Sequence, residues 1–207
     1  MTIPDEVTGT LDQFVLRPSE SGIILARSIV SASGARYRKL AVEGLETFEG
    51  LSLHYWASPL EAKLCTTQEV ALVGGGNSAG QAVVYLASHA AKVWLLVRGR
   101  NLESTMSRYL VERIRRLSNV EVLTETTVTG LEGANGLLNA VRWRSAASDV
   151  EVRRNVRHLF VFIGADPNTG WIEGSGIALD AKRFVLTGAD LDEDGGHSKP
   201  AEKASSR

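Results

Sequence analysis

The sequence predicts an α/β fold in which a parallel sheet is followed by an antiparallel meander. Short strand-like apolar runs occur at residues 69–73, 92–97 and 120–124, and the run at 92–97 has no polar alternation, as is typical of a strand covered on both faces. Segments with helical spacing separate these runs, at about 77–90 and at 103–117. A strand–helix–strand–helix–strand order of this kind calls for a parallel sheet with right-handed crossovers.

The chain before the first of these runs is expected to be β structure with one short helix. The runs QFVLR and GIILARSIVSAS are strand-like. The short helix is expected to begin after Ser58, which can cap it, with Pro59 at the first helical position and Glu61 completing a capping box. This capping role is favoured over a role of Ser58 as a nucleophile.

The pattern changes after the third apolar run to an alternation of apolar and polar residues around turn signals. The segments TVTGLEGANGLLNAVRWRS and DVEVRRNVRHLFVFIG alternate in this way, which favours an antiparallel meander. Trp143 alternates with an arginine on each side and is therefore expected to be a packed strand residue. Beyond Gly188 the chain is polar and lacks aromatic residues, and this tail is expected to be disordered.

The composition is that of an ordinary globular protein and argues against several classes of function. A net charge of −1 gives no electrostatic basis for binding nucleic acid or an anionic membrane. No apolar run approaches the length of a membrane span, and the polar N-terminus does not resemble a signal peptide, so we expect a cytoplasmic protein. One cysteine, Cys65, and four scattered histidines do not have metal-ligand spacing, and no metal site is expected.

The glycines between the first apolar run and the helix after it form the motif Gly74-x-Gly76-x-x-Ala79. Gly74 permits a tight turn, Gly76 lets the backbone approach a pyrophosphate, and Ala79 allows the helix to pack closely on the strand. The sequence therefore predicts a Rossmann-like parallel sheet with a dinucleotide site. The alternative is a structural glycine turn in such a fold that binds nothing.

The residues around this motif can add contacts to the phosphates. A pyrophosphate would lie against unpaired N–H groups at the positive end of the helix dipole. Gly75 belongs to the same turn, while Asn77 and Ser78 offer polar atoms that can cap the helix or contact phosphate. The expected cofactor-binding residues of the turn are therefore the six from Gly74 to Ala79.

The end of the second apolar run indicates which dinucleotide is bound. An NAD site usually has an acidic residue there that holds the ribose 2′-hydroxyl. This chain has no acid before Glu103 and instead has Arg98 and Arg100, which suit a 2′-phosphate through charge-assisted hydrogen bonds. NADPH is therefore predicted over NADH. Arg108 can add to the same patch or be a solvated surface residue, and the sequence favours neither.

Four segments together resemble the thioredoxin reductase family of two-domain, pyridine nucleotide-dependent flavoproteins. GGGNSA and LLVRGR are similar to the glycine motif and the arginine-bearing strand of that family's NADPH-binding domain. IVSASGARYRKL resembles the strand at which the FAD domain passes into the NADPH domain, and FVFIGADPNTG resembles the segment that crosses back.

This resemblance extends from about residue 12 to Leu186 and implies both cofactors and a domain plan. The implied cofactors are NADPH and FAD, and the predicted fold then includes an incomplete β remnant of an FAD domain. The expected divisions are a partial FAD domain at 1–46, an NADPH-binding Rossmann-like domain at 47–170, a crossover toward the FAD domain at 171–188 and a tail at 189–207.

The chain departs from the family at the residues that carry its chemistry. In the family NADPH reduces FAD, which reduces a Cys-x-x-Cys disulfide, but only Cys65 occurs in the corresponding stretch. A lone thiol cannot cycle through an internal disulfide, and Cys65 is expected to be a buried filler residue. The family's glycine-rich FAD unit and its closing Gly-Asp segment do not occur here either. Gln81 and Ala82 replace carboxylates that relatives often carry near the nicotinamide, and no catalytic residue is assigned.

Three hypotheses for function follow. The first is the NADPH-binding part of a thioredoxin reductase-like oxidoreductase, shortened, or completed by a flavin-binding chain in trans. The second is a non-catalytic NADP(H)-binding or interaction module, for which the orphaned strands favour a homodimer. The third is a fragment that folds poorly and has no activity. Retention of FAD separates the first two hypotheses.

Overall fold

The computed structural model describes residues 4–10, 13–18, 22–188 and 191. The chain divides into two compact units. We call residues 37–164 the central unit, and residues 1–36 together with 165–207 the flanking unit. The predicted tail at 189–207 lies outside the described residues apart from residue 191.

Thirteen strands are present in the described part of the chain. In chain order they are β1 (Pro4–Thr10), β2 (Gln13–Pro18), β3 (Ile24–Ala26), β4 (Ala35–Tyr37), β5 (Leu53–His54), β6 (Glu69–Val73), β7 (Lys92–Leu96), β8 (Val120–Leu123), β9 (Thr126–Ala134), β10 (Leu137–Ser145), β11 (Glu151–Arg154), β12 (His158–Val161) and β13 (Ala165–Pro167). The helices are α1 (Pro59–Leu64), α2 (Asn77–Ala87) and α3 (Arg108–Arg115), with 3-10 turns at Leu45–Phe48 and Gly170–Ile172.

A five-stranded parallel sheet is the framework of the central unit and confirms the predicted fold class. Its strand order is β5-β12-β6-β7-β8, and every neighbouring pair is parallel. The chain moves outward from β6 through β7 to β8, while β12 and β5 lie on the other side of β6. The three strands predicted from apolar runs are β6, β7 and β8.

The two faces of this sheet bury alternate residues of each strand, as the period of a strand requires. On β6, Val70 and Leu72 pack into the same hydrophobic cluster as buried residues of α2 and α3. Ala71 and Val73 pack into the opposite cluster, which includes buried residues of β10. Since both faces are covered at β6 and β7, these strands need no polar alternation, whereas Glu121 of the edge strand β8 is exposed.

The antiparallel meander is shorter than predicted. β9, β10 and β11 form a three-stranded antiparallel sheet, and Trp143 of β10 is buried against Trp94 with ring centroids 5.8 Å apart, as expected for a packed strand residue. Residues 158–161 were expected to continue the meander, and this prediction is wrong. They form β12, which pairs in parallel with β5 and β6 because its apolar side chains are buried at the centre of the parallel sheet.

Two helices of the central unit, α1 and α3, can be compared with the capping box and the helical spacing found in the sequence. The capping box of α1 is confirmed, since Ser58 accepts a hydrogen bond from the N–H of Leu60 and Glu61 accepts one from the N–H of Ser58. The helix predicted over 103–117 is α3, which is shorter. The residues before α3 form turns rather than helix, and Met106, which lies among them, is buried.

The flanking unit is built from both ends of the chain. β1, β2 and β3 form an antiparallel sheet, and β4 pairs with β13. Of the predicted strand run GIILARSIVSAS, only Ile24–Ala26 is a strand. The small hydrophobic cluster of this unit contains Trp171, Ile172, Leu16, Ile29 and Leu179.

The units divide at 36/37 and 164/165, whereas the sequence placed the divisions at 46/47 and 170/171. Residues just after position 36 are held by the central unit. The N–H of Arg38 donates to the carbonyl of Gly164 at 3.0 Å, and Lys39 pairs with Glu49 at 2.9 Å. These contacts assign the segment before the first 3-10 turn to the central unit.

Candidate functional site

The turn after β6 has a backbone that only glycine fits at its first position. Gly74 has a φ of +153°, and its N–H donates to the carbonyl of Leu96 at 3.0 Å. A Cβ at Gly74 would collide with the carbonyl oxygen of Phe162 and lie 2.9 Å from the Cβ of Ala79. Ala79 is fully buried, so strand, turn and helix meet at van der Waals distance here. This geometry agrees with the tight turn predicted at Gly74 and the close helix–strand packing predicted at Ala79.

Gly76 differs from Gly74 because the space around it is open. Its backbone is extended, with φ −91° and ψ −179°, and it is the N-cap of α2. A Cβ built at Gly76 meets no atom within 4 Å. The first N–H groups of a helix have no intrahelical partner, and Gly76 lies directly before those of α2. An anion can therefore approach the helix N-terminus at Gly76, and the residues present fit the pyrophosphate of a dinucleotide.

The side chains after Gly76 make different contacts from those expected. Asn77 does not cap α2, because its Oδ1 accepts a hydrogen bond from the N–H of Ser107 at 2.7 Å. Ser78 is exposed at the first turn of the helix. The carbonyl of Gly75 accepts a hydrogen bond from the Oγ1 of Thr105 at 2.8 Å. Asn77 and Thr105 thus tie the glycine turn to the segment between β7 and α3.

A fourth glycine was missed in the sequence motif. Gly80 lies inside α2, where a Cβ would approach the Sδ of Met106 to 2.8 Å and the Cδ1 of Leu110 to 3.1 Å. Gly80 therefore allows α2 to pack closely on α3 and the residues before it. The sequence signal was available, since a glycine in a helix interior is unfavourable unless close packing requires it.

The predicted arginines are exposed around the loop after β7 and the start of α3. Arg98 is exposed, and no hydrogen bond or ion pair with another described residue is found for it. The Nε of Arg100 lies 3.4 Å from the Oε1 of Glu125, with the arginine side chain 88% exposed. Arg108 pairs with Glu112 one turn along α3 at 2.7 Å and is 91% exposed. Because exposed pairs of this kind contribute little free energy, none prevents these arginines from meeting a phosphate.

Cys65 is a buried, unreactive cysteine. It follows α1 and its side chain is fully buried. Burial raises the pKa of the thiol to about 12, and the nearby carboxylate of Glu61 adds to that shift. Since the thiolate is the reactive form, this thiol is protonated at neutral pH and is not a nucleophile. Its burial agrees with the expected filler role.

A histidine pair lies inside the parallel sheet. The Nε2 of His54 on β5 and the Nδ1 of His158 on β12 are 3.2 Å apart, and the ring of Phe160 packs on His54. Burial lowers the pKa of His54 to about 4, and the neighbouring His158 contributes to that shift. Burial also lowers the pKa of His158. Both rings are therefore neutral at pH 7, as expected for histidines that pack in a core.

An aromatic group at the end of β5 was not anticipated from the sequence. Tyr37, Tyr55 and Trp56 lie together, with Tyr37 stacked on Tyr55 at a centroid distance of 5.6 Å. The Nε1 of Trp56 donates to the Oε1 of the buried Glu61 at 3.1 Å. Burial raises the pKa of Glu61, but hydrogen bonds from Ser58 and Trp56 outweigh it and the net shift is downward.

The described residues contain neither a metal cluster nor a membrane-spanning helix. They include no group of three or more histidine, cysteine or carboxylate side chains that could hold a metal ion. None of their helices is long and apolar enough to cross a membrane. Among the described residues, a glycine-rich turn between a strand and a helix occurs only after β6.

The fold and the turn after β6 define a dinucleotide-binding α/β architecture. The sequence matches the pyridine nucleotide-disulphide oxidoreductase family over residues 6–194, and the chain belongs to this family. Within the family it is thioredoxin reductase-like.

The relatives are longer than this chain. Thioredoxin reductase of Mycoplasma genitalium is 31% identical over 175 residues, which are 84% of this chain and 54% of that protein. One subunit of alkyl hydroperoxide reductase from Pseudomonas putida is 30% identical over 164 residues, 79% of this chain and 31% of the relative. The chain thus spans about half the length of the first protein and about a third of the second.

Solved structures show the same fold at lower identity. Thioredoxin reductase from Streptococcus pyogenes superposes with a TM-score of 0.76 and 22% identity, covering 91% of this chain and 60% of that one. Thioredoxin reductase from Lactococcus lactis gives a TM-score of 0.74 and 18% identity, with the same coverage of each chain. These likenesses support the fold over nearly the whole described chain.

Proposed function

We propose that this chain is the NADPH-binding part of a thioredoxin reductase-like flavoprotein oxidoreductase. The observation that carries the proposal is the open space at Gly76, in front of the N-terminus of α2. There the helix dipole and unpaired N–H groups favour an anion, and glycine leaves room for a pyrophosphate. Gly74 fixes the turn, and Gly75, Asn77, Ser78 and Ala79 complete the segment around the phosphates.

The preference for NADPH over NADH rests on the loop after β7. Arg98 and Arg100 follow the strand next to β6, where the adenosine ribose of a bound dinucleotide would lie. Their guanidinium groups would hold the 2′-phosphate by paired hydrogen bonds. Glu103 is the first acid after the strand, and residues 97–102 between them contain none that could hold the ribose 2′-hydroxyl.

The chemistry of this chain alone is limited to holding the reductant. Bound NADPH supplies a hydride, and the residues of the turn and loop hold its phosphates while the buried Cys65 takes no part. With a single cysteine the chain forms no internal dithiol, so we propose that it has no disulfide reductase activity by itself. A flavin-binding chain in trans would complete the oxidoreductase.

Calorimetric titration of the purified chain with NADPH and with NADH tests the proposal. We expect NADPH to bind roughly 10- to 100-fold more tightly, because only NADPH offers a 2′-phosphate to the arginines. Equal affinities would contradict the choice of NADPH. Absence of binding to both would contradict a dinucleotide site.

A second measurement separates an oxidoreductase from the alternative, a non-catalytic NADP(H)-binding module. The chain is incubated with FAD, desalted, and its absorption spectrum recorded before and after NADPH is added. A retained flavin band that bleaches would identify an oxidoreductase in this chain alone. If no flavin is retained, the chain alone is a binding module, and a partner carrying flavin is then sought.

A further inference from the structure

The carboxyl ends of the parallel strands form a row at one edge of the sheet. Val73 ends β6 and pairs with Leu96, the last residue of β7, on one side and with Val161, the last residue of β12, on the other. His54 ends β5 and pairs with Phe160 of β12. The residues that follow these strands therefore share one edge, where dinucleotides bind in open α/β sheets.

The direction of a bound dinucleotide along this row follows from its two phosphate contacts. The pyrophosphate is placed at the turn after β6, and the 2′-phosphate at the loop after β7. The adenosine half therefore occupies the β7 side, and the nicotinamide half extends the opposite way, over β12 toward β5. Neighbouring strands are about 4.8 Å apart, so the residues after β5 lie about 10 Å from the glycine turn. A ribose and a ring bridge a gap of this order.

The residues at that end of the row are aromatic and half-exposed. Trp56 follows β5 and is 51% exposed, and Tyr37 beside it is 46% exposed. The two rings are tilted by 50° with their centroids 6.3 Å apart. The hydrogen bond between Arg38 and Gly164 places Tyr37 next to the end of β12, between Trp56 and the glycine turn in strand order.

The rings of Trp56 and Tyr37 are each fixed by a contact with another side chain. The indole N–H of Trp56 is tied to the buried carboxylate of Glu61, and Tyr37 lies on Tyr55. The hydroxyl of Tyr55 donates to the Oε1 of Glu49 at 2.6 Å. An exposed indole fixed by a buried partner loses little further freedom when a planar ligand stacks on it, which favours binding.

We propose that Trp56, with Tyr37 beside it, is the contact surface for the nicotinamide ring of NADPH. This proposal rests on the proposed function, since the phosphate contacts set the direction of the dinucleotide. Gly164 after β12 has no side chain, and the Arg38 side chain lies beside it, with Nη1 3.7 Å from the position a Cβ would take. The dihydronicotinamide ring of NADPH is flat enough to lie against an exposed indole face, which offers a large apolar contact area.

Trp56→Ala in the full chain tests the proposal with two ligands that differ in the nicotinamide. Calorimetry measures the affinity for NADPH and for 2′,5′-ADP, which carries the 2′-phosphate and no nicotinamide. We expect the affinity for NADPH to fall about three- to tenfold and that for 2′,5′-ADP to stay unchanged. Trp56→Phe keeps an aromatic face and is expected to retain most of the NADPH affinity.

Leu64→Ala is the matched control, since it removes an exposed apolar side chain from the neighbouring helix α1 without removing a ring. It should change neither affinity. If Trp56→Ala leaves NADPH affinity at the wild-type level, or weakens both ligands equally, the nicotinamide contact is refuted while the phosphate site stands. If wild-type chain binds neither ligand, the proposed function itself fails and this inference falls with it.

Discussion

The turn after β6 and the loop after β7 are neighbours at one sheet edge, but they are built in opposite ways. The turn is closely packed at Gly74 and open at Gly76, and what defines it is the absence of side chains at both positions. The loop carries Arg98 and Arg100 on exposed backbone, and Arg100 pairs only with a surface carboxylate among the described residues. A change of shape in the turn should therefore affect either folding or the binding of NADPH and NADH alike. A change of charge in the loop should affect only which dinucleotide is preferred.

The largest effect is expected from Gly74→Ala, which would break the turn itself. The added Cβ would collide with the carbonyl of Phe162, and alanine is strained at a φ of +153°. We expect the free energy of unfolding in urea to fall by about 3 kcal/mol. Gly76→Ala is the matched control and should change it by less than about 1 kcal/mol, because its Cβ meets nothing within 4 Å. Equal losses would show that the two glycines do not differ.

Gly76→Val tests the same turn for binding rather than folding. Valine adopts the extended backbone of Gly76 without strain, but its side chain fills the space in front of α2. Calorimetry should show an affinity for NADPH at least about 100-fold lower, by the free energy of several lost charge-assisted hydrogen bonds. The urea midpoint serves as the control for folding. Unchanged affinity would remove the phosphate site from this turn.

The packed parts of the molecule were the predictable ones. Apolar runs identified β6 and β7 because burial on both faces removes polar alternation from the sequence, and β8 was identified although the exposed Glu121 interrupts its run. β12 was assigned to the meander because local alternation does not reveal a strand's distant partners. The glycine motif located the turn for a similar reason. The backbone conformation and close packing at Gly74 require a glycine, which is visible in the sequence.

The contacts between distant residues were not predictable in the same way. Thr105 and Ser107 bond to residues 30 positions earlier, and no local pattern signals such a pair. The aromatic group of Tyr37, Tyr55 and Trp56 forms only when separate segments meet at the end of β5. The sequence therefore located the glycine turn and missed the residues that tertiary contacts bring together around it.

An intermediate effect is expected from Arg98→Ala, which changes charge in the exposed loop and leaves the turn intact. The affinity for NADPH should fall about tenfold, because one charge-assisted contact to the 2′-phosphate is lost, while that for NADH should stay the same. Arg108→Ala provides the comparison, since Arg108 begins α3 and does not belong to the loop directly after β7. Equal losses for both dinucleotides would mean that Arg98 contributes only general surface charge.

The smallest effect is expected where the turn and the loop are joined. Thr105→Val removes the hydroxyl that donates to the carbonyl of Gly75 at 2.8 Å, and Thr105→Ser retains a hydroxyl as the control. Since the bond is exposed, its loss should cost about 1 kcal/mol of unfolding free energy and reduce the NADPH-to-NADH affinity ratio about two- to threefold. A lower ratio in the valine variant alone would mean that the turn positions the arginines through this bond. An unchanged ratio would mean that phosphate binding and dinucleotide choice are independent properties of two adjacent segments.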